Sequence, residues 1–410
     1  MSSSPALPPP DRLDDVTRLA IGGLGVTQII SWGSTYYLLS ILGAPISRDL
    51  GLSPAVVSSG LSIMLVLGAV FGPAAGRMMD RQGARMVMAI GSVIAAAGLM
   101  LLSGAQSLAG YLVAWLVIGL SSPLVLYPAA FTALTQIAPA QARRAITFLT
   151  LPGGLASTVF WPLTEWLLGG MDWRSVCQIY ALLNLALCLP LHLAVIRRGP
   201  GTMQPGQINT APGAGLPQDA RRAAFLLLAG ALALNALLVT GVLNQFMVVM
   251  RALGQSTENA VLFGMIFGIS QTSARVLELA GGARFDALHM GLAVSTGFPV
   301  AVLFLVADPG AAWAGLMFAM LLGACNGLWT IVRGALVLRL FGVRGYGENL
   351  GVVIVAQGIA AAAAPIALAG LLDSVGAQMA LLFLLAVSGL ALVAMASLFR
   401  HASRVLPRSS

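Results

Sequence analysis

Unbroken apolar blocks, each about 20 residues long, limit this chain more than any other feature. Twelve can be marked, at 19–44, 54–78, 84–104, 109–137, 145–169, 176–197, 222–250, 259–282, 287–307, 311–339, 348–371 and 376–399. A helix of 20 residues rises about 30 Å, the thickness of a bilayer's hydrocarbon core. Strands of a membrane β-barrel would alternate polar and apolar residues over about ten positions, which these blocks do not. Charged residues make up only 9% of the chain, against about a quarter in soluble domains. Too few polar side chains exist to cover a soluble multidomain enzyme, so that class is excluded. The net charge of +8 does not indicate a nucleic-acid partner, because the Arg residues stand singly among apolar runs. The expected fold is an all-α membrane protein of twelve transmembrane helices.

Residues 198–221, between the sixth and seventh blocks, are rich in Gly, Pro, Gln and Thr. Such a segment cannot bury a core and reads as a linker. The expected organisation is an N-terminal tail (1–18), a six-helix bundle (19–197), the linker, a second six-helix bundle (222–399) and a C-terminal tail (400–410). The first 18 residues contain Pro8, Pro9, Pro10, Asp11, Asp14 and Asp15 and do not read as a signal peptide, so the first helix is expected to remain as an anchor. Placing both termini in the cytoplasm puts most Arg residues inside and only Arg48, Arg174 and Arg251 in outside loops, as the positive-inside rule requires. A bacterial inner membrane is the expected location.

The halves repeat. Arg48-Asp-Leu-Gly-Leu-Ser53 after the first block matches Arg251-Ala-Leu-Gly-Gln-Ser256 after the seventh. Gly76-Arg-Met-Met-Asp-Arg-Gln-Gly-Ala-Arg85 matches a weaker copy, Ala274-Arg-Val-Leu-Glu-Leu-Ala-Gly-Gly-Ala-Arg284. Two parallel pseudo-repeats of six helices suit a transporter whose halves rock about a central site.

Gly76-x-x-x-Asp80-Arg81-x-Gly83-x-Arg85, in the short turn between helices 2 and 3, resembles the signature of the major facilitator superfamily at that loop. The resemblance extends over the twelve spans and the linker. It implies that Gly76, Asp80, Arg81, Gly83 and Arg85 form a conformational gate holding the halves together. Physically, Gly76 extends a small-residue face with Gly68 and Gly72 that admits a close neighbour. Asp80, at a helix C-terminus, opposes the dipole and needs a cation or another helix's N-terminus. Pro152-Gly-Gly154, Pro162 and Pro365 are expected to interrupt helices 5 and 11.

An ionisable residue inside a membrane span is a functional candidate, because burying it in lipid is costly. Arg275 and Glu278 in helix 8, Arg333 in helix 10 and Glu165 in helix 5 qualify. Gln271-Thr-Ser-Ala-Arg275 is similar to the helix 8 pattern of the monocarboxylate transporter branch, where an Asp and an Arg four residues apart line the cavity. That resemblance implies carboxylate binding by Arg275, while Gln271 replaces the proton-carrying Asp. Arg275 has a second reading, as a structural partner of Glu278. Arg333 follows Asn326, Trp329 and Thr330 on one helical face. Trp32 and Tyr36 in helix 1, with Gln28, Ser31 and Thr35, Tyr127 in helix 4, and Asn235, Asn244 and Gln245 in helix 7 supply further polar and aromatic groups. The substrate-binding candidates are Arg275, Arg333, Gln271, Trp32, Tyr36, Asn244, Tyr127 and Trp329.

No phosphate loop, metal-ligand spacing or nucleophile–base set is present; Cys177, Cys188 and Cys325 lie dispersed in apolar runs, and His192, His289 and His401 are scattered. No enzyme activity, cofactor, metal or nucleic-acid partner is expected. The reading is a monomeric secondary transporter moving a small organic anion, a carboxylate first, by alternating access. A coupled proton or an exchanged anion stays open as its partner. One rival is an efflux transporter of lipophilic drugs, which calls for an acidic cavity residue; only Glu165 could serve, and it lies near the outer end. The other is a non-transporting membrane sensor, which would be expected to carry a soluble domain beyond tails of 18 and 11 residues.

Overall fold

The computed structural model describes residues 13–196, 215–281 and 286–405. Within them, twelve helices are long and apolar enough to cross a membrane. They are α1 (Asp15–Leu50), α2 (Pro54–Gln82), α3 (Ala84–Ser103), α4 (Leu108–Ile137), α5 (Pro139–Leu168), α6 (Trp173–Val195), α7 (Gln218–Asn244), α8 (Glu258–Ala280), α9 (Ala287–Ala307) and α10 (Ala312–Phe341). The final stretch, Tyr346–Val405, is divided at Gly376 (φ 81, ψ 172) into α11 (346–375) and α12 (377–405). The all-α, twelve-span reading therefore holds. Helix α12 runs to Val405, past the expected end at 399. Most of the expected linker (198–214), Arg284 and Arg408 lie outside the described residues. Large apolar side chains such as Trp166, Leu277 and Val393 face outward, as a lipid-facing wall requires.

Local chemistry sets the helix ends. Gly51 (φ 64) ends α1 in the left-handed region, and the Ser53 hydroxyl accepts from Val56 N (3.3 Å) to open α2. The repeated segment behaves alike: Gly254 (φ 86) precedes Ser256, whose hydroxyl accepts from Asn259 N (3.2 Å) to open α8. Asp172 and Asp286 cap α6 and α9 through Ser175 N (2.8 Å) and Leu288 N (2.9 Å). Each cap satisfies a backbone donor that the helix leaves open.

Not every expected interruption occurs. Helix α5 breaks at Leu155, directly after Pro152-Gly-Gly154. Pro162 and Pro365 instead lie inside continuous helix; neither has a neighbouring glycine pair to let the backbone turn. Two features carry no sequence mark recognised above. Helix α4 breaks at Leu126, which is extended (φ −80, ψ −173), and restarts at Tyr127-Pro128. Trp32–Tyr36 in α1 and Asn184–Cys188 in α6 are π-helical turns. They are tied to each other, Asn184 Nδ2 donating to Ser34 Oγ at 3.1 Å.

The halves meet most closely where α2 crosses α11. A Cβ on Gly76 would collide with the Gly347 backbone, and one on Gly351 with the backbone of Gly72 and Pro73. Small residues thus let two backbones touch.

Candidate functional site

A cavity of about 230 Å³ lies directly against this crossing, between the halves. Gly72 and Gly351 of the crossing form part of its wall. Trp32 and Tyr36 of α1 and Ser122, Pro123 and Leu126 of α4 face it from the first half. Arg333 of α10 and Ile354 and Gln357 of α11 face it from the second.

Backbone irregularity positions the first-half wall. Pro123 has no N–H to offer the Gly119 carbonyl, and the Ser122 hydroxyl donates to that oxygen instead (2.8 Å). At the Leu126 break, Ala129 N turns to the Leu126 carbonyl (3.0 Å). The Val125 carbonyl accepts from Gln28 Nε2 at 2.7 Å. Gln28 Oε1 accepts in turn from the Trp32 indole N–H (3.2 Å), so the break in α4 orients a cavity side chain on α1. Trp32 packs against Tyr36 and Tyr127, each with ring centroids 5.1 Å away. Gly33 lets this π-helical turn approach Phe160, whose ring a Cβ would strike.

Arg333 is the only charged side chain on the cavity wall among the described residues. Its Nη1 donates to Gln357 Oε1 (3.1 Å), and its Nε is buried with no partner. It pairs with no carboxylate among the described residues. A half-buried cation with no counter-ion and a buried, unpartnered Nε is costly, and an anion would lower that cost. The guanidinium plane suits a carboxylate.

Arg275 lies elsewhere. It is 4% exposed and off the cavity wall. Its Nη1 donates to the Thr150 carbonyl beside the α5 break (3.2 Å), and its Nε to the Gly327 carbonyl of α10 (3.3 Å). Tyr127 donates its hydroxyl to the same Thr150 carbonyl (3.3 Å). Arg275 therefore ties the two halves together through backbone oxygens. Glu278 is not its salt-bridge partner: the carboxylate faces Arg143 of α5 at 3.8 Å. Helix rotation explains both departures, since α8 turns Arg275 toward α5 and α10 rather than into the cavity.

The remaining candidates divide. Trp32 and Tyr36 line the cavity, and Tyr127 stands behind Trp32. Trp329 turns away toward α9, edge-on to Phe298 (6.2 Å). Gln271 is half-buried where α8 presses on α10, its carbonyl against Gly327. The side chain of Asn244 lies outside the described ones. Sequence reasoning missed Ser122 and Gln357. Gln357 had a signal, as a lone amide in the apolar run from Gly351 to Pro365.

At the motif between α2 and α3, Asp80 accepts from Gly347 N (3.1 Å) and Glu348 N (2.8 Å), the first amides of α11. Arg77 pairs with Glu348 (3.4 Å), Gly83 turns the chain at φ 83, Arg81 is exposed and Arg85 is half-buried. Glu278, at the position matching Asp80 in the second half, also reaches across to α5, but through the Arg143 side chain rather than through helix-opening amides.

Comparison with known proteins agrees with this architecture. An uncharacterised 38 kDa protein encoded in a 23S RNA operon of Thermoproteus tenax is 26% identical over 384 residues, 93% of this chain and 95% of that one. Three solved structures share the fold. The human organic anion transporter MFSD10 has a TM-score of 0.69 at 15% identity, covering 92% of this chain and 99% of that one. The proton:xylose symporter XylE has 0.67 at 14%, covering 93% and 94%. The E. coli fucose:proton symporter FucP has 0.68 at 10%, covering 96% and 100%. The family description Major Facilitator Superfamily matches residues 24–278. With most of the chain matched and the fold shared, this multi-pass membrane protein belongs to the major facilitator superfamily and is a secondary transporter, not an enzyme.

Proposed function

We propose that the protein carries a small organic anion, a carboxylate first, by alternating access, with Arg333 as the anion's ligand. The observation that carries this reading is the guanidinium on the cavity wall with no carboxylate beside it. It replaces Arg275, the residue favoured by likeness to the monocarboxylate branch, whose guanidinium is already bonded to two carbonyls. In this reading the Asp80 contacts with α11 act as a gate between the halves and break when access reverses. The excess of Arg on the side of these contacts supports a cytoplasmic placement of that side and of both termini, in a bacterial inner membrane. A proton or an exchanged anion serves as the coupled species. Drug efflux is disfavoured, because no acid lines the cavity among the described residues.

A thermal-shift screen of the purified protein against small organic acids and lipophilic cations tests the reading. At least one carboxylate should stabilise the wild type, less so Arg333→Lys, and leave Arg333→Gln unaffected. Stabilisation by cations alone would reject it.

A further inference from the structure

We infer that the cavity selects a monocarboxylate with an apolar, ring-sized body, rather than a dicarboxylate or a sugar-like acid. This rests on the reading of Arg333 as the anion ligand and narrows it. The argument is a count of what the wall can satisfy. One cation faces the cavity among the described residues, and it stands at one place. A second carboxylate on the ligand would be buried with no second cation to pair with, a heavy penalty.

Neutral polar groups on the ligand fare little better. Of the wall's neutral polar groups, the Ser122 hydroxyl already donates to Gly119, the Trp32 indole N–H to Gln28, and the Gln357 carbonyl oxygen accepts from Arg333, which leaves the Tyr36 hydroxyl and the Gln357 amide N–H groups to meet a ligand. A polyhydroxylated body would lose its water and find few replacements. Apart from Thr240 and the Tyr36 hydroxyl, the rest of the wall is apolar, with Met64, Leu65, Leu126 and Ile354 around the rings of Trp32 and Tyr36. Trp32, Tyr36 and Tyr127 form one aromatic cluster, fixed by the Gln28 bridge to the broken α4. Such a cluster favours a ring set edge-on or offset against it. The volume, about 230 Å³, lies below the roughly 300–1,000 Å³ of pockets for drug-sized ligands. A single small ring with one carboxylate matches the charge, the wall and the space together.

Calorimetric titration of the purified full-length protein with benzoate, succinate and benzylamine tests the inference. Benzoate should bind saturably, succinate roughly tenfold or more weakly, and benzylamine not at all. Arg333→Gln should weaken benzoate roughly ten- to a hundredfold, as expected for loss of a charge-assisted hydrogen bond. Arg333→Lys should give an intermediate loss, and it keeps the test usable if the Gln variant misfolds. Succinate binding more tightly than benzoate, or no saturable benzoate binding, overturns the monocarboxylate class while leaving the anion reading standing. Benzylamine binding in place of both acids, or benzoate binding unchanged in Arg333→Gln, overturns the role of Arg333 as well.

Discussion

At the scale of single residues, the membrane charges fall into two kinds that composition cannot separate. Arg333 stands alone on a cavity wall, whereas Arg275 and Arg143 are fastened across the halves. Both motif acids, Asp80 and Glu278, reach over to the opposite half. Arg143 and Glu278 are both largely buried, their side chains 28% and 5% exposed. A double-mutant cycle on thermal stability, using Arg143→Gln and Glu278→Gln, should therefore give a coupling of about 0.5–3 kcal/mol. The same cycle with Arg275→Gln and Glu278→Gln should give a clearly smaller one. A larger coupling for the second pair would restore Arg275 as the partner of Glu278. Nothing in the sequence could have decided this. Arg275 and Glu278 are three residues apart on one helix, and their true partners lie on α5 and α10, more than 40 positions away.

At the scale of elements, the α2–α11 crossing joins a steric condition to an electrostatic one. Gly76 lets the backbones touch, and only then can Asp80 reach the first amides of α11. Gly76→Val should push the helices apart, and the distance between spin labels on exposed Arg81 and Arg344 should lengthen. An unchanged distance would show that the crossing does not depend on Gly76. Asp80→Asn keeps the shape and one acceptor oxygen but loses the charge facing a helix N-terminus, worth about 0.3–2 kcal/mol. It should leave abundance intact and reduce transport; normal uptake at normal expression would refute the gate role. Much of this element chemistry was legible. The Gly51/Ser53 and Gly254/Ser256 pairs are local turn signals, and they repeat because both halves need the same stop and cap. The need of Asp80 for a helix N-terminus was legible too, although which helix was not. The break at Leu126 had a local mark in Pro128, in the first turn of the restarted helix, that the sequence reading did not use; the π-helical turn at Trp32–Tyr36 had none. Their stabilising bonds come from other helices, as Gln28 and Asn184 show.

At the scale of the whole molecule, alternation of the turns sets which loops share a side. Cytoplasmic reporters fused after Gly83 and Gly342 should be active, and those after Gly51 and Gly254 silent. Activity at Gly51 or Gly254 would overturn the orientation drawn from the Arg distribution. The lone guanidinium of Arg333 has a further consequence here, an electrical one. If the proposed monoanion sits beside Arg333, the loaded carrier would reverse its access with these two charges cancelled, and membrane voltage would have little grip on that step. The empty carrier would then return with the cation bare. One elementary charge crossing the whole field is worth about 2.3 kcal/mol per 100 mV, so voltage would set the pace of the empty return and leave exchange of one bound anion for another almost untouched.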